Sequence, residues 1–324
     1  MPPPRERGAA LLTVLMLVAI VAVIAATSLE KLRLSTRIAG NAGATEQARG
    51  YALAAEALAL ARIGTLQGAD ATRTTLIGGW SGRPFSLPLP GGGVATARVV
   101  DGGNCFNLNG LVTRGAPGVY RSAPLQRMQF SRLMRVVGVP AQVADQVSGA
   151  AADWIDSDAD QQAGGAEDPT YLARDPAYRT AGTLMADPSE LRALNGVTPA
   201  VYAQVRPWIC TLPIATPAPV NVNTLQPEQA PLVAMLGETI SVDAARRALL
   251  SRPLAGFASS SAFVAQLGSA GAAADGGAQL AVKSGWFALD VDVRDGATTL
   301  EEHALIDATR LPARLATRQW GERP

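Results

Sequence analysis

The chain has 324 residues, 48% of them hydrophobic but only 5% aromatic, and a formal net charge of +1. That length allows about two domains, or one with appendages, and the apolar content suffices for a sizeable core. The balanced charge excludes recruitment of nucleic acid or anionic membrane by bulk charge.

The first predicted element is apolar. From Ala9 to Ala26 every residue except Thr13 is apolar. At ~1.5 Å per residue this run reaches ~27 Å, and Thr27 to Leu29 extend it across a hydrocarbon core of ~30 Å. Arg5, Glu6 and Arg7 precede it, and Glu30, Lys31, Arg33 and Arg37 follow, so flanking charge orients it only weakly. A secretory signal peptide cut near Ala25 or Ala26 is the simpler reading. Against it, the run exceeds the usual apolar region of about 7–15 residues. The helical pattern also continues from Ser28 to Ile63 without Pro, with Gly40, Gly43 and Gly50 as its weak points. One helix of roughly 50 residues is expected, apolar first and amphipathic later.

Thr65 to Gly93 reads as loops, with room for one edge strand at Arg83–Leu89 between Pro84 and Pro88. VATARVV, Val94 to Val100, is a strand candidate, followed by a DGGN turn and CFNLN. Near the C-terminus the alternation is clean. Phe287, Leu289, Val291 and Val293 share one face; Trp286, Ala288, Asp290 and Asp292 share the other. Asp295-Gly296 supplies a hairpin turn, and a return strand near 299–308 places Leu300, Ala304 and Ile306 inward.

Between these strands lies an internal repeat. LMRVVGVPAQVADQV from Leu133 and LRALNGVTPAVYAQV from Leu191 share Gly138/Gly196, Val143/Val201, Gln146/Gln204 and Val147/Val205, among others. A looser third copy begins at Leu232, with Gly237 in place. Each reads as helix, Gly-containing turn, helix, a pattern similar to helix–hairpin–helix or SAM-like units. The segment from 125 to 270 holds ten Arg, no Lys and thirteen Asp or Glu, a net of −3. Such a surface repels a phosphate backbone, so the repeats read as scaffold. A membrane-anchored periplasmic DNA receptor is the competing reading.

DWIDSDADQQAGGAED, Asp153 to Asp168, carries six carboxylates and no base. Against the calcium-loop pattern, Asp156, Asp158 and Asp160 take positions 1, 3 and 5, and Glu167 takes position 12. Gln161 stands where a turn glycine belongs, so the loop must turn differently. A solvated acidic loop is the simpler reading, but a hard divalent cation relieves the repulsion. Asp168 is a further ligand candidate, and Asp153 is either a ligand or a helix-end residue behind the ligands. In PVNVNTLQPE, Asn221, Asn223 and Thr224 read as turn and cap residues, with a minor option of metal binding for Asn223.

Cys105 and Cys210 form no CxxC pair. They are buried thiols in a cytosolic chain, and a disulfide becomes the better reading if the N-terminus exports the chain. The single histidine, His303, falls on the outward side of a strand, and no catalytic constellation is found. The chain reads as a non-enzyme.

The charged leader ending at Gly8, with the apolar run starting at Ala9, resembles the prepilin-peptidase leader of type IV pilins and type II secretion pseudopilins. That family carries Glu at the fifth mature position, where this chain has Thr13. Lack of that Glu, large size, and the order of FNLN, DWIDSD with GAED and Tyr171, SELR at Ser189–Arg192 and NVNT resemble the minor pseudopilin K (GspK) family. The resemblance implies an α+β fold: a long N-terminal transmembrane and amphipathic helix, and a pseudopilin α/β sheet domain with a large inserted all-α domain. It divides the chain into leader 1–8, membrane helix 9–29, helix continuation 30–64, α/β domain 65–124 and 271–310, insert 125–270 and tail 311–324. It further implies cleavage and methylation by prepilin peptidase, an inner-membrane single-pass anchor with the bulk periplasmic, and calcium in the helical domain. Implied partners are minor pseudopilins I and J, with H as a further candidate, and the inner-membrane secretion platform. Residence at the pseudopilus tip, without nucleic acid, is also implied.

Overall fold

The computed structural model describes residues 6–268, 271 and 277–322. The first five residues of the expected leader, the last two of the expected insert (269–270), residues 272–276 and the last two of the expected tail (323–324) lie outside the described residues.

One helix, α1, runs from Glu6 to Ala69 without a break at Gly40, Gly43 or Gly50. Its first part is uncovered: from Leu11 to Ile38 the large apolar side chains are exposed. By length and composition it is able to cross a membrane. Its last part is built into the fold. Ala48, Ala52, Ala55, Ala59 and Ile63 are buried along one stripe, at the three- and four-residue steps of a helix face. Four of these five are Ala, which lets the helix axis approach the sheet closely.

That sheet has five antiparallel strands: β1 (Phe85–Pro88), β2 (Val94–Asp101), β9 (Trp286–Asp295), β10 (Thr298–Asp307) and β11 (Arg314–Trp320). Phe287, Leu289, Val291 and Val293 are buried against α1, as their alternation requires. Gly296, at φ 57°, makes the β9–β10 turn. The stretch expected as a tail, 311–324, instead contributes the fifth strand. The sequence around Arg314–Trp320 lacks clean alternation because β11 is an edge strand, mostly half-exposed or exposed.

The insert leaves the sheet after β2 and returns at β9. Around it lie six short strands, β3 (Phe106–Asn107), β4 (Val112–Arg114) and β5 (Tyr120–Ser122) before its first helix, and β6 (Ile209–Cys210), β7 (Val220–Asn221) and β8 (Leu280–Ala281) later. Its helices are α2 (Pro124–Val136), α3 (Ala141–Ile155), α4 (Asp168–Leu172), α5 (Pro199–Val205), α6 (Pro231–Ala234), α7 (Val242–Leu250) and α8 (Ser260–Gln266). Each of the three sequence repeats forms two helical segments about a turn. Only the first has two full helices, α2 and α3; the second opens with a 3-10 segment, Pro188–Ala193, and the third with the four-residue α6. Gly138 and Gly196 occupy equivalent turns at φ 99° and 84°. The first two repeats face each other reciprocally. A Cβ on Gly196 would meet Gln146 Cδ at 3.0 Å, and one on Gly138 would meet Gln204 Nε2 at 3.9 Å. Gln146 and Gln204 are themselves equivalent positions, so each copy sets its glutamine beside the other's turn glycine.

Candidate functional site

Two motifs turn out to be internal struts. In FNLN, Asn107 donates to the Ile214 and Thr216 carbonyls at 3.0 and 2.8 Å, and its Oδ1 accepts from the Leu212 amide at 2.9 Å. Asn109 donates to the carbonyls of Met185 and Leu212, both at 2.9 Å, and accepts from the Met185 amide at 2.8 Å. In NVNT, Asn223 pairs with both backbone groups of Phe257, at 2.6 and 3.0 Å. Asn221 donates to the Thr74 carbonyl and Ser284 Oγ. All four are buried, and a carboxamide satisfies an irregular backbone where no strand is available. The Asn223 amide is fully engaged by Phe257. Asp101, at the end of β2, accepts from Thr224 (2.5 Å) and Ser284, joining sheet to insert; burial raises its pKa. Sequence reasoning missed Asp101, and a carboxylate ending the strand at the DGGN turn was the available signal.

The disulfide Cys105–Cys210 ties the same joint, with Cα atoms 5.8 Å apart. It lies beside the parallel β3–β6 pairing, which puts Asn107 opposite Cys210.

The acidic stretch begins inside α3 and ends in α4. Asp153 is wholly buried, and its carboxylate accepts the Gln162 amide at 3.1 Å, folding the loop back over the helix. Gly165 lies so close that a Cβ there would sit 1.9 Å from Asp153 Oδ2, and a Cβ on Gly149 would meet Gly165 N at 2.9 Å. Asp156 is 1% exposed, and neither of its oxygens has a hydrogen-bond partner. Glu167 is 6% exposed, with Oε1 unpartnered. Asp158 and Asp160 are exposed, and Asp158 Oδ1 accepts from the Asp160 amide. Asp168 is engaged elsewhere: it accepts from the Thr180 amide at 3.0 Å, which chiefly holds its pKa down, and from Arg179 at 2.5 Å, which adds to this. Among the described residues, no three His, Cys, Asp or Glu side chains are gathered closely enough to hold an ion.

Electrostatics single out the same carboxylates. Desolvation, then the charge of Asp158 and Asp153, pushes Asp156 up to about 7. Desolvation, then Asp153, pushes Glu167 up to about 7, and desolvation pushes Asp153 up to about 6. A buried carboxylate oxygen without a donor is costly. Two such groups, Asp156 and Glu167, have the donor chemistry that a hard cation takes, while Asp153 is already bonded to the Gln162 amide.

His303 does not lie on an open surface. Its ring is 17% exposed, Nδ1 is 2.7 Å from Asp290, and the residue lines a cavity of about 170 Å³ between sheet and insert, with Asp187, Arg206 and Gln319. The insert covers part of the outer sheet face, which alternation alone does not reveal.

A helix that leaves an apolar anchor, is built into an antiparallel sheet and carries a head between its strands defines a pilin-like filament subunit. Two family models, both described as type II secretion system protein K, match residues 104–214 and 220–283. The protein K of Pectobacterium carotovorum is 32% identical over 98% of this chain and 97% of its own length. That of Klebsiella pneumoniae is 36% identical over 81% of this chain and 80% of its own. A crystal structure of the GspK-GspI-GspJ complex from enterotoxigenic Escherichia coli matches with a TM-score of 0.75 at 29% identity, covering 86% of this chain and 97% of that one. The chain belongs to the type II secretion system protein K family, the GspK minor pseudopilins.

Proposed function

We propose that this minor pseudopilin stands at the tip of the type II secretion pseudopilus, where it nucleates or caps the filament with pseudopilins I and J and, as a further candidate, H. The observation that carries this reading is the division of α1: its apolar first part is uncovered, while its second part is committed to a broad head. Such a head leaves little room for a subunit above it. Thr13 supports the same position. Its hydroxyl donates to the Ala10 carbonyl at 2.9 Å, so it needs no partner charge from a neighbouring subunit. The related complex contains GspI and GspJ. Co-purification of the full chain with its I and J counterparts tests the reading; failure to associate in detergent would remove it.

The segment from Gly8 to Ala9 is the proposed prepilin peptidase site, with the mature chain anchored in the inner membrane, its head in the periplasm, and the secretion platform as assembly partner. Sequencing the mature N-terminus should give Ala9. The role is one of binding and assembly, not chemistry. The insert's repeats are taken as a helix–hairpin–helix-like scaffold, and the family membership gives no support to a DNA receptor.

Calcium is the cation we assign to the acidic loop. Asp156 and Glu167 would hold it with their unpartnered oxygens, Asp158 and Asp160 completing the set as the loop closes. Asp153 shapes the loop from behind, and Asp168 joins only by leaving Arg179. The ion would neutralise the cluster and stiffen the head. Isothermal titration of metal-free protein with calcium tests this; no heat of binding at neutral pH would end the assignment.

A further inference from the structure

The inner face of the sheet is apolar except at one place. Glu302 on β10 is wholly buried among Val, Leu and Ala side chains, and Glu56 on α1 is 6% exposed opposite it. Arg318 on β11 reaches both. Its Nε is 2.8 Å from Glu56 Oε2 and 3.3 Å from Glu302 Oε1, and its Nη2 is 2.9 Å from Glu56 Oε1. Glu302 Oε2 is buried without a hydrogen-bond partner. Two carboxylates thus share one guanidinium, and with both ionised the group carries an uncompensated negative charge inside the core.

We propose that Glu56, Glu302 and Arg318 form a proton-linked latch that fastens the edge strand β11 to α1, closed when Glu302 carries a proton and weakened when it loses it. The position of β11 makes the latch matter. The strand pairs only with β10, so beyond the packing of Leu315 on the shared core its attachment to the helix runs through Arg318 and the neighbouring Trp320. That indole meets the guanidiniums of both Arg318 and Arg49, at 5.7 and 5.9 Å from its ring centre. Other groups near the triad do not neutralise it. On α1, Arg49 is paired with Glu46 at 2.6 Å and Tyr51 bonds to Gln47. On the inner face β9 presents Leu289, Val291 and Val293, and β2 presents Ala95, Ala97 and Val99. His303 and Glu301 lie on the opposite face, where His303 meets Asp290. Desolvation, and then the Glu56 carboxylate beside it, pushes Glu302 up to about 7.

The sign follows from that raised value. When β11 opens, Glu302 loses Arg318 but gains water at the vacated edge; desolvation is the larger influence on it, so rehydration brings it back toward an ordinary carboxylate pKa and it releases its proton. Opening is therefore suppressed at low pH, becomes easier as pH rises from about 4.5 to about 7, and is constant beyond. Hydrogen exchange of the Arg314–Trp320 amides, measured on the full chain in detergent micelles and corrected for intrinsic exchange, reads this directly. Between pH 5 and pH 7.5 their protection should fall at least about tenfold relative to β2 and β9 amides, one pH unit of linkage. In Glu302→Gln, which keeps shape and removes the titration, protection should match at both pH values. No fall in the unaltered chain, or the same fall in Glu302→Gln, overturns the latch. Should Glu302→Gln not fold, Glu56→Gln decides: with one carboxylate left on Arg318 the transition must move to lower pH, and an unmoved transition overturns it.

Discussion

Gly165 stands against Asp153 with no room for a methyl group: its Cβ would fall 1.9 Å from Oδ2. The carboxylate meanwhile accepts the Gln162 amide at 3.1 Å. The acidic loop is thus fastened to α3 by one buried side chain seated on one glycine. Gly165→Ala should destabilise the protein by about 2 kcal/mol, the usual scale of overpacking, and weaken any calcium-dependent gain in melting temperature. A double-mutant cycle with Asp153→Ala checks the cause: shortening Asp153 must recover part of the loss.

The acidic loop sets a pH dependence of its own. Asp153, Asp156 and Glu167 have folded-state pKa values raised to about 6, 7 and 7. A raised carboxylate favours the folded state below its unfolded pKa, and that advantage is lost as pH rises through the folded value. Metal-free protein should therefore lose stability between about pH 4 and pH 7. Calcium, which binds the ionised form, should raise the melting temperature strongly at pH 7.5 and hardly at pH 4.5. Melts with and without chelator at both pH values test this, and a calcium effect equal at both would count against the carboxylate ligands.

The alanine stripe of α1 sets its distance from the sheet. Ala55→Leu should cost about 1–3 kcal/mol by forcing helix and sheet apart, whereas Leu53→Ala, at a residue 41% exposed, should stay within about 0.5 kcal/mol. Chemical denaturation of both variants distinguishes packing from helix propensity.

Asn109 bonds to three backbone groups of Met185 and Leu212. Asn109→Ala leaves these buried groups unpaired and should cost about 3 kcal/mol. Asn109→Asp should be no better, because it replaces two donated bonds by a buried charge. Equilibrium unfolding of both variants is the check.

The disulfide closes a separation of 105 residues across the joint between sheet and insert. Cys105→Ser with Cys210→Ser should lower stability by about 2–4 kcal/mol. Protease nicking after reduction should concentrate near Leu212–Ala218, which packs with the bridge.

Some of this protein is determined by its sequence alone. The apolar run, the strand alternation at Phe287–Val293, the Asp295-Gly296 turn and the internal repeat depend on local periodicity and turn chemistry, which neighbouring residues dictate. The order of its motifs likewise sufficed to point to its family. What each motif does was decided by tertiary structure. FNLN and NVNT hold loops that lie between 34 and 147 residues away, and within one acidic run Asp153, Asp156 and Glu167 are buried while Asp158 and Asp160 face solvent. The edge strand at Arg314–Trp320 and the inward Glu302 escaped the pattern because their partners, β10, Glu56 and Arg318, are brought to them by the fold. A side chain's charge and donors are written in its own residue, but the cost of burying them, and the partner that offsets it, exist only once distant segments meet.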